Sequence, residues 1–284
     1  MALTLYRSVR LDAGDQQAVR MLATTVQERD GQPPLSDQAL MQLGAAHLRH
    51  LLARDGTRVV GYAQIDTADT PVAEIASDPE ALTLLLTAVA ADVPAGLRIW
   101  SHGTSSPLAA ALAERDFTPT RTLHQLRREL REPIAAVPAP DGVTIRSFVV
   151  GSDEAQWLRV NAAAFAHHDE QGRWTLADLQ AREREAWFDP AGLLIAERDA
   201  AQLGFHWTKV HDSGIGEVYV LGVDPAAQGL GLGAVLLTFG LRHLQHVGCP
   251  DVLLYVDDSN TGALSLYERH GFNRFDRDVQ WLAG

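Results

Sequence analysis

The sequence predicts an α/β protein of two tandem domains, each a twisted mixed β-sheet flanked by helices. Three observations predict it. Residues 217–237, EVYVLGVDPAAQGLGLGAVLL, read as a buried strand, a glycine-rich turn and a helix. Residues 132–142, EPIAAVPAPDG, carry three prolines among small residues and read as a semi-rigid linker. The order of elements before this linker recurs after it, and LLARDGTRVVGYAQI aligns with LIAERDAAQLGFHWTKV, as PLAAALAERDF does with GALSLYERHGF. The expected domains are therefore 1–131 and 143–284.

In the first domain, 3–9 reads as a strand. Residues 16–29 read as a helix, with Val19, Leu22, Ala23 and Val26 at helical spacing. Pro33-Pro34 ends it, and Ser36 can cap a second helix running through Leu40, Leu43 and His47. Asp55-Gly56 joins strands 51–54 and 59–65 as a hairpin. Strand 72–76, helix 81–91, strand 97–100, helix 107–115 and strand 123–130 complete it. In the second domain, 143–148 is a strand, 154–166 and 175–187 are helices, and 193–196 with 202–209 form a hairpin. Strand 217–223, its turn and helix, strand 251–256, helix 261–270 and a closing strand 275–281 follow.

The turn after strand 217–223 carries the chemistry. Asp224-Pro225 ends the strand, because proline has no N–H for the ladder. Gln228, Gly229, Leu230, Gly231, Leu232, Gly233 and Ala234 then bring alternating glycines to a helix N-terminus. Free N–H groups and the positive end of the helix dipole converge there, which makes a phosphate cradle. The spacing G-x-G-x-x-A from Gly229 fits a dinucleotide-binding turn, but only about fifty residues follow it, too few for that fold.

Gln228-x-x-Gly231-x-Gly233, after a strand ending Val-Asp-Pro, resembles the acyl-CoA pyrophosphate loop of the GCN5-related N-acetyltransferases. Asn260-x-x-Ala263-x-x-x-Tyr267-Glu268-x-x-Gly271-Phe272 resembles that family's last helix and turn. The resemblance implies acetyl-CoA as co-substrate and no metal. Leu221, Gly222 and Val223 would pair with the pantetheine arm, residues 228–234 would hold the pyrophosphate, and Asn260, Thr261, Gly262, Ala263, Leu264 and Ser265 would line the cofactor. A basic residue is usual in this loop; Leu230 stands there instead, which leaves the holding to backbone N–H groups. Glu217 is the expected base for the attacking amine, directly or through one water, against the alternative of an exposed strand-end carboxylate. Tyr267 matches the family's general-acid tyrosine; its alternative is packing against Leu266 and Phe272. A backbone N–H near Leu221 would hold the oxyanion.

The first domain keeps Glu74 and Asp78-Pro79, but Glu80-Ala81-Leu82-Thr83 follows with no glycine, and Ala113 stands at the position matching Tyr267. It is expected to be non-catalytic and to wall the acceptor site; weak CoA binding through its strand backbone is the alternative.

GEVYVLGVDPAAQGLGLG, LLYVDDSN, FAHHDEQGRWT, GFHWTKVH and PPLSDQAL are similar to the mycothiol synthase family, which acetylates the cysteinyl amine of a cysteine–glucosamine–inositol conjugate. By that resemblance the partner is this small-molecule amine, and Asp37, Glu170, Lys209, Glu217 and Tyr255 contact it. Asp37 equally fits the acid-favouring first turn of a helix capped by Ser36. Another primary amine (a protein N-terminus, an antibiotic or an amino acid) is the alternative acceptor, and a non-catalytic acyl-CoA-binding regulator the alternative class.

Composition bounds the rest. With 46% hydrophobic and 21% charged residues over 284 positions, the chain can bury two ordinary cores. A net charge of −12 leaves no footprint for nucleic acid or an anionic membrane. One cysteine, Cys249, excludes an internal disulfide and reads as a packed residue before Pro250. No apolar run spans a membrane and MALTLYRSVRLD lacks a signal core, so a cytoplasmic protein is expected; a monomer is the separate expectation for its assembly. In His167-His168-Asp169-Glu170, adjacent histidines rarely face one ion, so no metal site is assigned. His206 and His211 read as strand-face and turn residues.

Overall fold

The computed structural model describes residues 3–68, 70–93, 95–131, 133–167 and 171–284. The chain forms two compact units, one of Met1–His124 with Asp276–Gly284 and one of Gln125–Phe275.

The first unit begins with β1 (Thr4–Ser8) and α1 (Ala13–Asp30). Asp12 caps α1 by accepting from the N–H of Asp15, and Gly31 ends it at φ 80°, a left-handed turn that glycine reaches without strain. The buried residues of α1 are Val19, Leu22, Ala23 and Val26, the stripe read from spacing. The short α2 (Asp37–Met41), capped by Ser36, stops well before His47. Strands β2 (Arg49–Asp55), β3 (Arg58–Asp66) and β4 (Val72–Ser77) form an antiparallel meander. α3 (Pro79–Asp92) starts directly behind Asp78, with proline in its first turn. β5 (Arg98–Ser101), parallel to β4, α4 (Pro107–Ala113) and β6 (Phe117–Glu129) follow.

The second unit takes the end of β6, then β7 (Thr144–Ser147), α5 (Glu154–Ala164), α6 (Leu176–Glu183), β8 (Leu193–Arg198), β9 (Ala201–Val210), β10 (Gly216–Val223), α7 (Leu232–His246), β11 (Asp251–Asp257), α8 (Thr261–Arg269) and the start of β12 (Asn273–Ala283). Its strand order is β6-β11-β10-β9-β8-β7. Trp157, Trp207 and Phe205 are fully buried on one face of this sheet, and α7 lays Leu236, Leu237, Leu241 and Leu244 on the other.

These units do not divide at residues 132–142. Residues 98–101 of β5 pair antiparallel with 279–282 of β12, so the last strand of the chain completes the first unit's sheet. Residues 125–129 belong with β11, and the N–H of Leu130 donates to Pro250. Asp278 and Asp276 of β12 hold His102, Gly103 and Thr104 behind β5. Burial opposes a charge on His102, but its hydrogen bonds to Asp278 and Glu74 raise it to about 10.

His206 of β9 is fully buried against α7. Its Nδ1 donates to the Leu236 carbonyl at 2.9 Å, and burial pushes its pKa down to about 4. An unfolded histidine titrates near 6.5. The folded value is the lower one, so this residue's share of stability is present above about pH 6.5 and is lost as pH falls toward 4. Thermal melts from pH 7 to 4 should show that loss, and a His206→Leu variant should flatten it. Beside it, a Cβ on Gly240 would lie 2.0 Å from the His206 ring. Gly240→Ala should therefore cost roughly 3 kcal/mol in denaturant unfolding, by overpacking.

Candidate active site

β10 is paired on both sides only at its start. Antiparallel pairing with β9 runs from Gly216↔Val210 to Val223↔Gly204, interrupted by a bulge at Tyr219. Parallel pairing with β11 covers Gly216↔Val252 and Glu217↔Leu253 and goes no further. Beyond Glu217 the two parallel strands part, and the β11-facing backbone groups of β10 are left without a strand partner. A bulge adds twist and ends pairing locally, which produces such a split. Leu221 and Val223 are half-buried there. An extended polar chain can add to this open edge as a peptide adds to a sheet.

A Cβ on Gly222 would meet Phe205 at 2.9 Å and Phe165 at 3.1 Å, so its missing side chain makes room for the aromatic layer.

After Asp224, a short 3-10 turn (Pro225–Ala227) leads into the glycine loop. Gly229 and Gly231 have φ of 83° and 77°, and a Cβ on either would meet nothing within 4 Å. Gly231 is the N-cap of α7 and offers no capping side chain. Among the described residues, the N–H groups of 229–233 have no acceptor in the chain. A left-handed glycine loop with free N–H groups at the mouth of a 15-residue helix is a fit for a phosphate or pyrophosphate. Leu230 is exposed at its tip and contributes no charge. A Cβ on Gly233 would touch Leu266 of α8 at 3.4 Å, so the first turn of α7 lies against α8. Asn260 caps α8 by accepting from the N–H of Ala263 at 3.1 Å. Thr261, Gly262 and Ser265 lie on its first turns, with Thr261 and Ser265 exposed; Ala263 is less exposed and Leu264 is buried.

Tyr267 lies on α8, buried edge-on against Phe272 with ring centroids 5.6 Å apart. Burial pushes its phenol up, which keeps the proton on it. Its hydroxyl has no hydrogen-bond partner among the described residues. Packing and a free donor coexist in this one side chain.

Glu217 is buried and stands opposite Lys209 across β9–β10. Its Oε2 accepts from His211 Nε2 at 2.8 Å. Lys209, also buried, has its ammonium 5.1 Å from the Trp187 ring centre and 5.7 Å from that of Tyr219. Arg182 of α6 donates to Tyr219 Oη at 3.0 Å and stacks 3.9 Å over Trp174. Tyr255 on β11 is exposed, and Gln125 of β6 donates to its hydroxyl at 2.8 Å. Lys209 and Glu217 are thus neighbours. Asp37 stands in the first turn of α2, in the first unit, and Glu170 lies outside the described residues. His211, Arg182, Tyr219 and Gln125 were not singled out as site residues from sequence; the turn position of His211 and the two-residue spacing of Glu217 and Tyr219 were the available signals.

Among the described residues no three His, Cys, Asp or Glu side chains are grouped to hold a metal ion; residues 168–170 are not among them. No described helix is long and apolar enough to cross a membrane.

Residues 161–272 match the acetyltransferase (GNAT) family model. The chain is 50% identical over 272 residues to the mycothiol acetyltransferase of Thermomonospora curvata, covering 93% of this chain and 92% of that protein. It is 44% identical to that of Thermobispora bispora, over 98% and 99% of the two chains. Among solved structures, a tandem GNAT protein from the clavulanic acid biosynthesis pathway aligns over 100% of this chain and 99% of its own, with TM-score 0.74 at 18% identity. A GCN5-related N-acetyltransferase from Sphaerobacter thermophilus aligns over 98% and 95%, with TM-score 0.67 at 23% identity. These two likenesses concern the fold.

Proposed function

Because the chain belongs to the mycothiol acetyltransferases, a tandem-domain family of GNAT acetyltransferases, we propose that it transfers acetyl from acetyl-CoA to the cysteinyl amine of the cysteine–glucosamine–inositol conjugate, forming mycothiol. The observation that carries the chemistry is the open edge of β10 ending in a glycine cradle. Leu221 to Val223 lie between Glu217 and the loop along β10, so an arm laid on this edge runs from the cradle toward the carboxylate.

In this reading the backbone of Leu221, Gly222 and Val223 binds the arm, and the N–H groups of 229–233 bind the pyrophosphate. Residues 260–265 line the other side. Glu217 takes a proton from the acceptor's ammonium, whose pKa is near 8 in a free α-amino group, so a modest base suffices. A backbone N–H near Leu221 holds the oxyanion as the amine attacks. Tyr267, protonated and without a partner among the described residues, gives its proton to the departing thiolate. Lys209 and Tyr255 offer a cation and a phenol to the hydroxyl-rich acceptor.

The first unit supports a non-catalytic role. β4 pairs with β3 without a bulge from Gly61↔Ser77 to Asp66↔Val72. α3 begins one residue after Asp78, with no loop to cradle an anion. Glu74 is already engaged by Ser36, at 2.5 Å to the backbone N–H and 2.7 Å to the hydroxyl.

Product analysis tests the reading. The pure protein with acetyl-CoA and the conjugate should form an acetyl amide stable to hydroxylamine, with one free CoA per product. A thioester product, or none, would contradict it.

A further inference from the structure

We infer that His211 is the positioning residue of Glu217, holding one carboxylate oxygen so that the other faces the acceptor amine; this rests on the reading of Glu217 as the base. The hairpin between β9 and β10 is closed by two backbone bonds, His211 N–H to the Ile215 carbonyl at 2.9 Å and Gly214 N–H to the His211 carbonyl at 2.8 Å. They tie the imidazole to the strand that carries Glu217, and Nε2 donates to Oε2 at 2.8 Å.

A glutamate side chain has three rotatable bonds, and a general base must hold its geometry. Lys209, the cross-strand partner of Glu217, is drawn over Trp187 and Tyr219, and Tyr219 is occupied by Arg182. The neighbour on β11 is Leu253, whose side chain has no donor. Among the described residues the Glu217 side chain is hydrogen-bonded by His211. The His211 side chain is 32% exposed and that of Glu217 10%, so the imidazole is the wetter end of the pair.

The test compares His211→Ala, His211→Leu, His211→Gln and Glu217→Gln in steady-state kinetics. Gln places an N–H donor near the Nε2 position; Ala and Leu place none. His211→Ala should lower kcat roughly ten- to hundredfold, the size of a lost hydrogen bond to a charged group, with acetyl-CoA affinity unchanged. His211→Gln should recover most of kcat. If His211→Ala, or His211→Leu should the alanine variant fail to fold, keeps the kcat of the parent while Glu217→Gln is inactive, the assignment of His211 falls and the base reading stands. If Glu217→Gln keeps the parent's kcat, the base reading falls and His211 with it.

Discussion

A Gly231→Asp variant is expected to fold and to lose measurable acetyl-CoA binding. Gly231 has φ 77°, and a Cβ there meets nothing within 4 Å, so the substitution clashes with no part of the protein. Its backbone cost is about 1 kcal/mol, the strain of a non-glycine residue in the left-handed region. The aspartate would put a negative charge at the point where the N–H groups of the loop converge and where the α7 dipole is positive. Gly231→Asn has the same shape and similar backbone demands without the charge, and should keep most of the affinity. Calorimetric titration of both with acetyl-CoA, together with their melting temperatures, separates charge from strain. Equal, near-native affinity in both would move the phosphate site elsewhere.

Tyr267→Phe is expected to lower kcat roughly 10²- to 10⁴-fold, the usual range for general-acid catalysis, and to leave acetyl-CoA affinity and stability nearly unchanged. Removing a buried hydroxyl ordinarily orphans its partner. Here the hydroxyl has none among the described residues, and the ring keeps its contact with Phe272. Burial raises the phenol pKa, so the parent holds its proton throughout the working range and the loss should persist at every pH tested. A fall in stability with unchanged turnover would leave Tyr267 as a packing residue.

Much of this was legible because it is local. The stripe of α1 follows from 3.6-residue spacing, the caps at Ser36 and Asn260 from residues adjacent in sequence, and the cradle from glycines next to a helix start. What was hidden depends on partners distant in sequence. The Tyr219 bulge exists only in the pairing of β10 with β9. Gly222 is explained by Phe165 and Phe205, on other elements. The place of β12 beside β5 could not be read from an internal repeat, because a repeat aligns residues and says nothing about which sheet a strand joins. His211 and Glu217 are close in sequence, yet their bond needs the turn at 211–215 to close first.

The most direct test of the central claim is the ratio of kcat/KM for the cysteinyl-glucosaminyl-inositol conjugate to that for free cysteine and for a peptide N-terminus, at one acetyl-CoA concentration. Recognition of the sugar and cyclitol hydroxyls by buried polar groups should favour the conjugate by several orders of magnitude, as sites built to hydrogen-bond a substrate do. Comparable values for all three amines would contradict the acceptor assignment and leave an acetyltransferase of another amine.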